Sequence, residues 1–291
     1  MRIKKRTVRR LLVIELVVLV ISLCILFYLL QRYWAHRDGY FVPDYPRVTL
    51  TEESDYETIF LQTGLGESAV DKLLEEGNFQ AILDAQEALF NPPEVECTAL
   101  LGWFTREDKL RDDVSGEGEN SSGRDRASGP RLVDLQPGDI LLTLSTHSFG
   151  WNHGHAALVI DEDTTLECMV LGTDSTYGSV DHWCEYSNYA VLRVKGVTPE
   201  QRQAIAEYGA TTLLGVPYRL TAGFIGDKAP RPDEWQFGLQ CSYLVWYAWN
   251  HFGYDLDSDG GRLVSSYDLL HSDNVEIVQI YGMNPEEFIE K

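Results

Sequence analysis

The chain has 291 residues, 44% hydrophobic and 24% charged, which is ordinary for a globular protein and leaves room for one sizeable core or two small ones. The formal net charge is −21, and it is unevenly spread: residues 1–37 carry eight Lys/Arg against Glu15, whereas residues 38–291 carry 16 basic and 44 acidic side chains. So acidic a body repels nucleic acid and anionic headgroups, which excludes nucleic acid as a direct partner and fits a neutral or cationic substrate.

The chain opens on a basic segment, residues 1–10, followed by an apolar run from Leu11 to Leu30 broken only by Glu15 and Ser22. Twenty helical residues span roughly 30 Å, the thickness of a hydrocarbon core. Positive charge before the span predicts a cytoplasmic N-terminus and an outward-facing remainder. We read residues 11–30 as an uncleaved signal anchor. A signal peptide has a shorter apolar region, and no small-x-small site follows Leu30.

Residues 31–50 read as a stalk. Residues 51–111 read as a helical spacer or lid, with helices predicted over Glu67–Glu76 and Phe79–Phe90 from their apolar spacing and the stops at Gly77 and Asn91-Pro92-Pro93. Gly64-Leu65-Gly66 lacks the glycine pattern and following Lys of a phosphate loop, so it reads as a turn. Residues 112–131, almost without apolar side chains, read as a flexible linker.

Residues 132–291 change period. Gln136-Pro137-Gly138-Asp139 is a turn, and strands follow over Ile140–Leu144, His155–Ile160, Thr165–Val170 and Tyr189–Val194. Thr198-Pro199 starts a helix reaching about Leu214. A short helix over Val264–Leu270 and a strand over Glu276–Tyr281 complete an α+β domain. Between them lies the stretch from Gln240 to Gly253, in which Cys241, Val245, Ala248 and Phe252 form one stripe of a largely buried helix. Its aromatic side chains read as core.

Cys241 therefore sits at a helix N-terminus, where unpaired N–H groups favour a thiolate. A small buried Cys in a core helix is the ordinary alternative. A cysteine nucleophile also needs a His to take its proton and a polar group to hold that ring. His155 opens a buried strand, and if the next strand returns as a hairpin, Glu167 comes within reach of it. The five Cys at 24, 97, 168, 184 and 241 contain no CxxC, so neither a disulfide framework nor a zinc knuckle is expected. His147, His153, His155 and His182 have no third ligand at zinc spacing, so neither a metal nor any other cofactor is expected. A serine hydrolase lacks its Gly-x-Ser-x-Gly elbow.

Taken together, Leu135-Gln136-Pro137-Gly138-Asp139-Ile140, His155, Leu166-Glu167 and Cys241-Ser242-Tyr243-Leu244-Val245-Trp246 resemble the NlpC/P60 superfamily. With His before Cys, the order is similar to its circularly permuted, YiiX-like or YaeF-like papain-fold amidases. The resemblance covers roughly residues 133–281. It implies an antiparallel sheet or barrel preceding the Cys-bearing helix, a thiolate at Cys241, a base at His155 and an orienting Glu167. It further implies an oxyanion hole that includes the Cys241 N–H, and a cleft lined by Tyr218. His153, two residues from His155, is the alternative base and a second candidate substrate contact. The function implied is hydrolysis of an amide, such as a peptide or amide bond of cell-wall peptidoglycan. A lipid acyl hydrolase or acyltransferase is the alternative within the same fold, and a non-catalytic binding domain the alternative outside it.

Overall fold

The structure is a computed structural model and describes residues 5–35, 40–101, 105–111, 128–148 and 151–289. The expected linker falls mostly on residues 112–127, outside the described residues. In chain order the helices are α1 (Lys5–Ala35), α2 (Tyr56–Thr63), α3 (Glu67–Glu75), α4 (Phe79–Phe90), α5 (Pro199–Tyr208), α6 (Cys241–His251) and α7 (Ser266–His271). The strands are β1 (Glu94–Leu101), β2 (Thr105–Arg111), β3 (Ile140–Thr143), β4 (Thr146–Ser148), β5 (Trp151–Asn152), β6 (His155–Val159), β7 (Thr164–Glu167), β8 (Thr176–Ser179), β9 (Tyr189–Val194) and β10 (Val275–Tyr281).

α1 contains the apolar stretch Leu12–Leu29, with a mean hydropathy of 2.9 and none of it buried, long and apolar enough to cross a membrane. The rest is α+β, built on a six-stranded antiparallel sheet in the order β10-β9-β3-β6-β7-β8. A second sheet runs β1-β2-β4-β5. The larger sheet is open, ending at β10 and β8, so the barrel alternative does not apply.

Strands β3, β6 and β9 are mostly apolar on both faces because both faces of their sheet are covered. Successive side chains point to opposite faces. Ile140, Leu142, Ala156, Leu158, Ala190 and Leu192 meet α5, α6 and α7 through Ile205, Leu244, Val245, Ala248 and Leu269. On the opposite face, Leu141, Ala157, Val159, Val191 and Val278 meet α2–α4 through Ile59, Val70, Leu73 and Ile82. Burying each such Val, Leu or Ile contributes about 1.5–3 kcal/mol.

Two expectations for residues 51–111 need correction. First, α2–α4 form a layer of the same sandwich, not a separate spacer. Their attachment includes Gly64-Leu65-Gly66, which docks on the free edge of β10: Gly66 N–H donates to Val278 O at 2.9 Å and Ile280 N–H to Gly64 O at 2.7 Å. A Cβ at Gly66 would collide with Ile277 O, so the glycine permits a backbone contact that closes an otherwise unpaired sheet edge. Second, residues 94–101 and 105–111 form a β-hairpin instead of helix. Glu107, Asp108 and Lys109 are buried there, and their charge hid the strand pattern. Lys109 is paired with Glu107 and Glu185, and Asp108 lies beside His147.

The Pro-Gly-Asp turn before β3 is held by a buried ion pair. Arg193 on β9 donates from Nε and Nη2 to both carboxylate oxygens of Asp139 (2.9 and 2.7 Å) and from Nη1 to Asp134 (2.8 Å). Asp139→Ala would leave Arg193 buried with only Asp134. We expect a loss of about 3 kcal/mol in denaturant unfolding, the low end for breaking a buried pair because one carboxylate remains.

Candidate active site

All residues from Cys241 to Trp249 are buried, so the first turn of α6 is fixed by its packing. Three polar tips of the helix are bonded: Trp246 Nε1 donates to Asp255 (2.7 Å), Tyr243 OH to Lys228 O (2.7 Å) and Tyr247 OH to Pro230 O (2.6 Å). The two tyrosine bonds tie the preceding loop to the helix and the tryptophan bond ties the following one, and the aromatics are core as expected. Gln240 is the residue before the first turn. Its Nε2 donates to Val264 O at 3.0 Å, and its Oε1 accepts from Ser242 Oγ at 3.2 Å and lies 3.6 Å from Cys241 Sγ.

β6 and β7 pair as the sequence analysis required, with Leu158 opposite Leu166 and Val159 opposite Thr165. His155 and Glu167 therefore share a face, and His155 Nε2 lies 2.8 Å from Glu167 Oε2. The other ring nitrogen is left for Cys241, whose thiol is near enough for the two groups to shift each other's pKa. The geometry brings Cys241, His155 and Glu167 together, all three buried.

The electrostatics follow from this contact. Burial alone disfavours the imidazolium, but the hydrogen bonds and charges of Cys241 and Glu167 outweigh it and raise His155 to about 10. Burial likewise opposes the Cys241 thiolate. The bond to His155, its positive charge, and backbone N–H groups of Ser242 and Ala156 reverse that and lower the thiol below its ordinary 9.0. Both shifts favour one resting state, a thiolate beside an imidazolium. Cys168 and Cys184 move the other way, pushed up by burial to about 12 and about 11.

Glu167 is held by groups the sequence analysis did not single out. Thr165 Oγ1 donates to its Oε1 at 2.6 Å, and His182 Nε2 lies 3.6 Å from the same oxygen. Burial pushes the carboxyl up, but His155, His182 and Thr165 bring it below its ordinary value. Gly178, opposite Thr165 on β8, leaves room for the carboxylate, since a Cβ there would collide with Oε1. Trp183 stacks on His155, with ring centroids 5.3 Å apart and planes 7° from parallel, and fixes the plane of the imidazole. A His-Trp pair after the third strand was the available signal, but only the β7–β8 pairing and the following turn bring it to the site.

His153 lies elsewhere. β6 begins at His155, and the His153 ring bonds Ser148 Oγ (3.0 Å) and Gly154 O (2.7 Å). Burial lowers its pKa, the opposite of His155. The four histidines do not converge: His155 and His182 flank Glu167, His153 faces Ser148, and His147 faces Asp108. Tyr218 forms a parallel bridge to Leu239, two residues before Cys241. Burial, then the charges of Cys241 and Cys168, raise its hydroxyl pKa.

No family model matches the sequence, and no curated protein matches it significantly. Among solved structures the chain is similar to one described as the metalloprotein YiiX from Escherichia coli O157:H7, a DUF1105 protein. Sequence identity is 20%, the match covers 49% of this chain and 96% of that one, and the TM-score is 0.35. At that TM-score the likeness carries no argument, and the functional reading rests on the site itself.

Proposed function

We propose that the protein is a membrane-tethered cysteine amidase with a circularly permuted papain-like domain, acting outside the cytoplasmic membrane on a peptide or amide bond of peptidoglycan. The observation that carries this is His155, bonded to Glu167 and within electrostatic reach of the Cys241 thiol, with all three groups buried. In this reading the Cys241 thiolate attacks the carbonyl carbon while N–H groups of the first turn of α6 hold the oxyanion. His155 gives its proton to the leaving amine, then takes one from the water that hydrolyses the thioester. Glu167 keeps the ring oriented, and Tyr218 borders the acyl side of the cleft. The basic residues before the apolar stretch of α1 support an inward N-terminus.

A second reading, hydrolysis or transfer of a lipid acyl group, is favoured by the loop leading into α6. Leu220, Phe224, Ile225 and Trp235 are all more than half exposed there, an apolar surface suited to acyl chains. The same nucleophile serves both readings, so the test is which substrate loads it. A peptide amide, quenched in acid during turnover, should leave a peptidyl thioester on Cys241 detectable by intact mass. Loading from an acyl ester but from no peptide amide would favour the second reading. No adduct from either class would contradict both.

A further inference from the structure

We propose a zinc site, separate from the Cys241 centre, made by Cys97, Asp108 and His147 on one face of the smaller sheet. The register assembles it. Cys97 on β1 is directly opposite Asp108 on β2, and His147 on β4 is opposite Arg106, which shares a strand face with Asp108. His147 Nε2 lies 3.6 Å from Asp108 Oδ1 and 3.9 Å from Cys97 Sγ, and the three donor atoms all fall within 4.8 Å of one another. Zinc bound at 2.3 Å to sulfur and about 2.0–2.2 Å to nitrogen and oxygen requires donors roughly 3.3–3.6 Å apart at tetrahedral angles. Two of the edges need to close by only a few tenths of an ångström.

A second observation points to a missing cation. Asp108 is 2% exposed, and its Oδ1, turned toward Nε2 of the 1% exposed His147, has no hydrogen-bond partner among the described residues. An unbonded carboxylate oxygen in the interior is costly, whereas a cation beside it removes the cost. One thiolate and one carboxylate neutralise a divalent ion, and a thiolate–imidazole–carboxylate set suits zinc over calcium or magnesium. Cys97 is only partly buried, which gives the ion a way in and leaves the fourth position to water. The bound ion cross-links three adjacent strands and fastens the β1–β2 hairpin to β4. Zinc spacing in the sequence could not reveal this, because two of the three ligands come from the hairpin.

The test uses the full chain in detergent, stripped with chelator and titrated with zinc or cobalt. About one ion should bind per chain, with a thiolate-to-cobalt charge-transfer band. Zinc should slow alkylation of Cys97 in the wild-type protein. Cys97→Ser and His147→Gln should weaken binding by more than the roughly 10–100-fold that loss of an outer-shell partner costs. Cys241→Ala should bind as wild type. Metal uptake lost in Cys241→Ala but kept in Cys97→Ser would overturn the assignment, as would Cys97 alkylation unaffected by zinc. The alkylation result decides even if the His147 variant does not fold.

Discussion

Replacing Cys241 by alanine is expected to reduce turnover to background while leaving the far-ultraviolet spectrum and unfolding midpoint close to wild type. The side chain sits in the first turn of α6, where alanine is a good helix former and fills most of the same space. What is lost is the only thiol among those at 168, 184 and 241 whose pKa is lowered. The measurement is steady-state hydrolysis alongside circular dichroism. Residual activity above about one-hundredth of wild type in a folded Cys241→Ala protein would mean that another group is the nucleophile.

The second large effect belongs to His155. His155→Ala removes the proton carrier and the positive charge that offsets burial of the thiolate, so turnover should fall by about 10²–10⁴-fold. Glu167→Gln should cost less, because the amide can still accept from the ring and Trp183 still holds its plane. His153→Ala should be mild, since that ring faces Ser148 and not the thiol. A loss in His153→Ala as large as in His155→Ala would assign the base to the wrong histidine.

The parts of this architecture legible in the sequence are those governed by local chemistry. Phe79–Phe90 and Tyr189–Val194 have the predicted bounds, and Thr198 caps α5 through the expected Thr-Pro start. The meeting of Cys241, His155 and Glu167 was legible because each occupies a position that its own element defines: a helix start, a strand start and a hairpin partner. The β1–β2 hairpin was not legible, because its buried Asp108 and Lys109 lie beside His147 and Glu185, 39 and 76 positions away. Long-range pairing also explains why Thr165, Gly178, His182 and Trp183 went unnoticed. Their relation to Glu167 and His155 exists only once β7, β8 and the turn after them are assembled. The place of the helices within residues 51–111 was not legible for the opposite reason. Local periodicity gives helices, but which sheet face they cover is a property of the whole fold.

The central claim is that Cys241 and His155 rest as a thiolate–imidazolium pair, and the alkylation rate of Cys241 against pH tests it most directly. Because the thiol is lowered and His155 raised, the pair exists above the Cys241 pKa and is lost as pH rises through the His155 value near 10. Labelling by a neutral electrophile, followed by peptide mass spectrometry, should rise below pH 9, level off and change again near pH 10. In His155→Ala the rise should move to pH 9 or above, since burial then acts on the thiol without its counter-charge. A single rise centred at or above pH 9 in the wild-type protein, unmoved by His155→Ala, would contradict the account.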